Sequence, residues 1–113
     1  MTITLEKRKF PRIKARWPIT IITNRCLIEG ELRNITANGI FARCKEQLQE
    51  NKTYRIFITL PQNRYAAVKG KVIWSNLDGI DPDGTVSDMG FSFVELPEED
   101  RILLNHAVSA QLA

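Results

Sequence analysis

Basic side chains are concentrated at the amino terminus of this chain. Residues 1–16 carry six bases against one acid, Glu6, a balance of +5, while the remaining residues carry ten bases and twelve acids. The six bases are Lys7, Arg8, Lys9, Arg12, Lys14 and Arg16. Clustered cations create a field that attracts anionic partners. The segment therefore predicts either an anion-binding arm or a solvated basic tail, and on charge alone the tail is the simpler interpretation.

Residues suited to catalysis or to metal binding are few. His106 is the single histidine, and no sequence signature supplies a nucleophile together with a base and an orienting acid. A site built from histidine and cysteine would need more ligands than the chain has. The aspartates between residues 76 and 88 do not follow EF-hand spacing, because that frame puts Gly79 and Gly90 at the first and last ligand positions. The sequence therefore predicts a non-enzymatic protein with no catalytic residues, no metal and no cofactor.

Composition is that of an ordinary globular domain. The chain has 113 residues, of which 43% are hydrophobic and 26% charged, close to the average for soluble proteins. No apolar run approaches the ~18 residues of a membrane span, and no apolar segment follows the N-terminal charges as in a secretion signal. We expect one cytoplasmic domain without membrane insertion, whose two cysteines, Cys26 and Cys44, are reduced and buried.

The hydrophobic pattern is mostly that of β-strands. Alternation and β-branched residues predict six strands, at 15–23, 26–36, 39–44, 53–60, 65–74 and 89–96. Asn38-Gly39 is turn chemistry, because both residues tolerate positive φ, and Gly79, Pro82 and Gly84 predict a loop over 76–88.

A C-terminal helix is predicted to open with the segment PEED (97–100), which places acids in its first turn. Its expected core face comprises Ile102, Leu103, His106, Ala107, Ala110 and Gln111. Six short strands and one helix indicate a mainly-β fold, a six-stranded antiparallel β-barrel with a C-terminal α-helix. We expect residues 1–14 to form a flexible basic arm and residues 15–113 the single barrel domain.

Two short motifs occur in this arrangement. The segment RKFPR (8–12) is an RxxxR motif just before the first strand, and NITANG (34–39) fits [D/N]xSxxG with threonine in the serine position. Two further segments lie in later predicted strands and belong to the same pattern, GKVIW (70–74) and GFSF (90–93). Together these residues resemble the PilZ domain, the bacterial receptor module for the second messenger cyclic di-guanylate (cyclic di-GMP), from about Glu6 to the final helix.

The resemblance implies a set of ligand-binding residues. They are Arg8, Arg12, Asn34, Thr36 and Gly39, with Lys7, Lys9 and Trp74 as further possible contacts. Arginine forks match both phosphate and the O6 and N7 atoms of guanine, and lysines add attraction for phosphate. The Asn34 carbonyl and the Thr36 hydroxyl can hydrogen-bond a guanine. Gly39 has no Cβ atom, so the backbone there can come close to the ligand. The Trp74 indole could stack on a guanine or pack in the core.

The resemblance therefore implies a cyclic di-guanylate receptor. Ligand binding would order the arm and change a surface that a downstream protein reads in trans. A PilZ-like protein-interaction module that does not bind the nucleotide is the alternative. A nucleic-acid-binding barrel is disfavoured, because the residues outside the arm are net acidic.

Overall fold

The structure is a closed barrel of six antiparallel strands followed by one helix. The computed structural model describes residues 13–36, 38–81 and 84–112, and the side chains of 16–36, 38–76 and 86–111. The elements are β1 (Ile13–Ile22), β2 (Leu27–Ile35), β3 (Gly39–Cys44), β4 (Thr53–Leu60), β5 (Arg64–Asp81), β6 (Gly84–Glu95) and α1 (Glu98–Leu112). The strands close in the order β1-β2-β3-β6-β5-β4. The predicted six-stranded antiparallel barrel with a C-terminal helix is confirmed.

Alternation along the strands builds the core inside the barrel. In β4, Ile56, Ile58 and Leu60 point inward and are buried, while the residues between them are partly exposed. The same alternation gives β2 the buried residues Ile28 and Leu32. Successive side chains of a strand point to opposite faces, so a period of two places one set in the core. Closure of the sheet then leaves few exposed strand edges.

The predicted loop at 76–88 is wrong. In the structure β5 continues to Asp81 and β6 begins at Gly84, and Asp81 and Gly84 pair. The register of this hairpin shifts between Leu77 and Gly79. An irregularity of this kind accommodates a glycine within a strand, so the glycines do not interrupt the pairing.

The C-terminal helix begins with three acids, Glu98, Glu99 and Asp100, as predicted. The Asp100 Oδ1 atom accepts a hydrogen bond from the Ala67 backbone N–H at 2.9 Å, which ties the first turn to β5. The buried face is formed by Leu104, Asn105 and Val108.

Within the described residues, no helix has the length and apolar character needed to span a membrane.

The predicted core face of α1 is wrong in part. Ile102 is 47% exposed, His106, Ala110 and Gln111 are also exposed, and Leu103 and Ala107 are half-buried. The apolar residues of this helix are spread around its circumference, so periodicity does not define one face. The contact between Asp100 and β5 helps to set the rotation of the helix instead.

The two cysteines lie in different environments. Cys44 is buried, as predicted, whereas Cys26 is exposed, so the prediction for Cys26 is wrong. Cys26 ends the turn between β1 and β2, where its backbone carbonyl accepts a hydrogen bond from the Thr23 hydroxyl at 2.9 Å. A position in a tight surface turn leaves no neighbouring layer to cover the thiol.

We expect a thiol reagent at pH 8 to label Cys26 in the folded protein and Cys44 only after unfolding. Burial, with a smaller contribution from the Asp88 carboxylate, raises the pKa of Cys44 from 9.0 to about 12, and thiolate is the reactive form. Since ionisation of Cys44 then favours the unfolded chain, stability should fall as the pH rises from 9.0 towards about 12. Mass spectrometry with and without denaturant counts the labels, with Cys26→Ser as the control. Two labels on the folded protein would contradict the expectation.

Candidate functional site

The turn between β2 and β3 is closed by the residues of the NITANG segment. The Thr36 backbone N–H donates to the Gly39 carbonyl at 2.9 Å. The Thr36 hydroxyl donates to the same carbonyl at 3.4 Å and accepts from the Asn38 N–H at 3.3 Å. Threonine thus supplies the hydroxyl that the motif requires, and this hydroxyl helps to shape the turn.

Gly39 lies against the neighbouring strand β6. A Cβ atom at this position would be 1.8 Å from the Phe91 carbonyl oxygen and 3.1 Å from the Ser92 Cα. The predicted positive φ is wrong for Gly39, whose φ lies outside the left-handed region. Glycine is required here by the close approach of the β3 and β6 backbones, a role that the sequence did not predict.

Asn34 carries an unsatisfied acceptor. Its Oδ1 atom is buried and has no hydrogen-bond partner within the described part of the protein. Most buried polar side-chain atoms have a partner, and an acceptor without one costs free energy. The atom is therefore available to a donor on a bound molecule.

Four of the predicted site residues line one open pocket of about 300 Å³. These residues are Asn34, Thr36, Gly39 and Trp74, and the pocket is also lined by Asn38, Ile40, Phe41, Ile73, Gly90, Phe91 and Ser92. Every one of these side chains is uncharged. The pocket offers neutral hydrogen-bonding groups together with aromatic surface, and the described residues that line it provide no cation for an anionic ligand.

The aromatic part of the pocket is formed by Trp74 and Phe41. Their ring centroids are 5.5 Å apart and the planes are inclined by 39°. Trp74 is 37% exposed, in contrast to the core residue Trp17 at 6%. Trp74 is therefore a wall of the pocket rather than part of the core. Sequence reasoning missed Phe41, Ile73 and Ser92, because only the pairing of β3, β5 and β6 brings them to the site.

The predicted arm residues Lys7, Arg8, Lys9 and Arg12 lie outside the described residues. Strand β1 begins at Ile13, which pairs with Ile35, and Lys14 pairs with Asn34. The chain therefore enters the barrel opposite Ile35, the residue between Asn34 and Thr36. The basic segment is attached next to the pocket.

Comparison with known proteins identifies the family. The PilZ domain family model matches residues 6–110, so the chain belongs to the PilZ domain family. No curated protein matches it at a significant level.

Solved structures show the same fold. The PilZ domain with c-di-GMP of YcgR from Escherichia coli superposes with a TM-score of 0.74 at 16% identity, covering 95% of this chain and 92% of that one. The Bacillus subtilis inhibitor of motility (MotI/DgrA) superposes with a TM-score of 0.72 at 22% identity, covering 95% of this chain and 52% of that one. The chain thus spans about half the length of MotI. At these identities the likeness concerns the fold.

Proposed function

We propose that this protein is a non-enzymatic receptor for cyclic di-guanylate. The observation that carries the proposal is the pocket that gathers Asn34, Thr36, Gly39 and Trp74 beside the start of β1 at Ile13, the residue that follows the RxxxR motif in the sequence. Membership of the PilZ domain family supports it, as does the c-di-GMP named with the YcgR domain of the same fold.

The ligand needs two kinds of group. Cyclic di-guanylate has two phosphates and two guanines in one compact ring, so it requires cations together with hydrogen-bonding and stacking surfaces. The pocket supplies the neutral part, and the arginines of the RxxxR segment supply the charge. Arg12 directly precedes Ile13 and Arg8 lies five residues before it, so the backbone can carry Arg8 at most about 17 Å from the barrel. Both guanidinium groups are within reach of a ligand in the pocket.

Each pocket residue has a role in this arrangement. The Asn34 Oδ1 atom, which has no partner among the described residues, accepts from the N1–H or N2 amino group of a guanine. The Thr36 hydroxyl adds a contact at the turn, and Gly39 keeps that turn tight against β6. The exposed face of the Trp74 indole stacks on a base, an interaction typical of base-binding aromatic residues. Lys7 and Lys9 add attraction for phosphate and faster encounter.

Ordering of the N-terminal segment is the proposed switch. Like charges at 7–12 repel one another, and fixing the backbone costs about 1–2 kcal/mol per residue. Two phosphates offset the repulsion, so the ligand supplies the free energy that orders the segment. The ordered segment then presents a surface that a downstream protein recognises in trans.

We also propose a cytoplasmic location, which suits the two free thiols.

Isothermal titration of the full chain with cyclic di-guanylate tests the proposal, with cyclic di-adenylate as the control. We expect saturable binding of the guanine compound. Absence of binding would overturn the proposal and favour the protein-interaction module. Binding of oligonucleotides that falls steeply with salt would favour a nucleic-acid-binding barrel instead.

Backbone amide relaxation by NMR tests the proposed ordering of the N-terminal segment. This switch is refuted if residues 5–12 are as rigid as the strands before ligand is added.

Asn34→Ala should separate binding from stability. The substitution removes a buried acceptor that has no partner among the described residues, so we expect the free energy of unfolding to change by less than about 1 kcal/mol. Affinity for cyclic di-guanylate should fall about tenfold, the effect of one lost hydrogen bond in a buried site. Chemical denaturation and titration measure the two effects. A large loss of stability with unchanged affinity would show that Asn34 is structural.

A further inference from the structure

Trp74 lies across a glycine in the middle of strand β6. Gly90 pairs with Phe41 of β3 on one side and with Trp74 of β5 on the other. A Cβ atom at Gly90 would be 2.3 Å from the indole Nε1, 2.6 Å from Cε2 and 2.9 Å from Cδ1. The indole therefore occupies the space that any larger residue at position 90 would fill.

The backbone itself does not require a glycine at position 90. The φ angle of Gly90 is outside the left-handed region, and the three nearest atoms to an added Cβ all belong to the Trp74 ring. Glycine in a strand has a conformational entropy cost and adds no side-chain packing. Gly39 differs, because there the nearest atoms are backbone atoms of β6. What Gly90 provides is room for the indole.

The Phe41 ring packs beside the Trp74 indole. Its ring centroid is 5.5 Å from that of Trp74, with the planes at 39°, a separation at which aromatic pairs attract. Phe41, Gly90 and Trp74 all line the pocket. The indole is thus supported by β6 beneath it and by Phe41 beside it, while 37% of the residue remains exposed.

We infer that Gly90 and Phe41 are positioning residues for Trp74. Gly90 admits the indole over β6 and Phe41 sets its tilt, so that one face of the ring is presented to a planar base before the ligand arrives. A ring held in advance loses little conformational freedom on binding. The part of this inference that concerns the ligand rests on the proposed function, while the part that concerns the ring does not.

The position of the ring is tested without any ligand. The chain has two tryptophans, Trp17 and Trp74, and 5-fluorotryptophan labelling gives each a ¹⁹F NMR resonance, assigned with Trp74→Phe. We expect Gly90→Ala and Phe41→Leu to shift the Trp74 resonance and to leave that of Trp17 in place. The barrel should stay folded in Gly90→Ala, because the group displaced is a partly exposed side chain. An unshifted Trp74 resonance in Gly90→Ala would overturn the inference.

The effect on binding is tested by a double-mutant cycle with cyclic di-guanylate. We expect Gly90→Ala to weaken binding by roughly 5-fold to 100-fold, the range for loss of one base–aromatic stack. In a Trp74→Ala background the same substitution should have no further effect, because the ring it displaces is gone. Equal losses in both backgrounds would overturn the inference. Failure of the wild-type chain to bind would sink the proposed function, and the ¹⁹F shifts would still decide the position of the ring.

Discussion

Replacement of both Arg8 and Arg12 by alanine is expected to abolish measurable binding of cyclic di-guanylate while the barrel stays folded. The described residues that line the pocket are uncharged, so in the proposed complex the phosphates depend on the N-terminal segment for cations. Each lost charge-assisted, bidentate contact should cost about 1.5–3 kcal/mol, or roughly 10-fold to 100-fold in affinity. The two losses together exceed the range of most titrations. Titration calorimetry measures the affinity, and circular dichroism with thermal unfolding checks the fold.

The matched control is the Lys7→Ala/Lys9→Ala double variant. It removes the same net charge from the same segment but leaves both guanidinium forks in place. We expect this control to lose less than about tenfold in affinity, because lysine contributes as a point charge without bidentate geometry. Equal losses in the two double variants would mean that the segment acts only through its charge. Wild-type affinity in the arginine variant would refute the assignment of Arg8 and Arg12.

The fold was largely predictable because its pattern is local. Strands β3 and β4 have the bounds that alternation predicts, 39–44 and 53–60. A period of two with turn residues between the segments defines strands without knowledge of their partners. The hairpin at 76–88 was not predictable in this way, since its glycines indicate a loop and only pairing between β5 and β6 keeps the segment extended. The rotation of α1 likewise depends on a contact, that of Asp100 with β5.

The candidate site likewise contains residues that a local motif identifies and residues that only strand pairing brings to the pocket. Asn34, Thr36 and Gly39 lie within six residues of sequence, so a motif is enough to find them. Phe41 and Ser92 reach the pocket through the register of three strands, and no pattern along the chain indicates that register. The role of Gly39 against β6 was not predicted, because that contact depends on the pairing of β3 with β6 and not on the turn itself. Contacts between distant strands are therefore what the sequence leaves open.

Gly39→Ala is expected to be the most destabilising single substitution at the site. The added Cβ would be 1.8 Å from the Phe91 carbonyl oxygen, 2.9 Å from the Phe91 carbonyl carbon and 3.1 Å from the Ser92 Cα. All three are backbone atoms, so no side-chain rotation can relieve the clash, and β6 must move away from β3. The Phe91 side chain is 1% exposed in the core, which resists that movement. We expect a loss of about 3 kcal/mol or more and a fall in Tm of roughly 10 °C.

Gly90→Ala is the natural control for this prediction, because it adds the same methyl group to a neighbouring strand of the same pocket. There the clash is with the Trp74 indole, a side chain that can turn towards solvent, so Tm should fall by only a few degrees. Thermal unfolding followed by circular dichroism compares the two variants directly. A Tm for Gly39→Ala within a few degrees of wild type would refute the close approach of Gly39 to β6. A similar large fall in Tm in both variants would mean that the Trp74 indole cannot turn away from a methyl group at position 90. The indole would then be as fixed as the backbone of β6 beside Gly39.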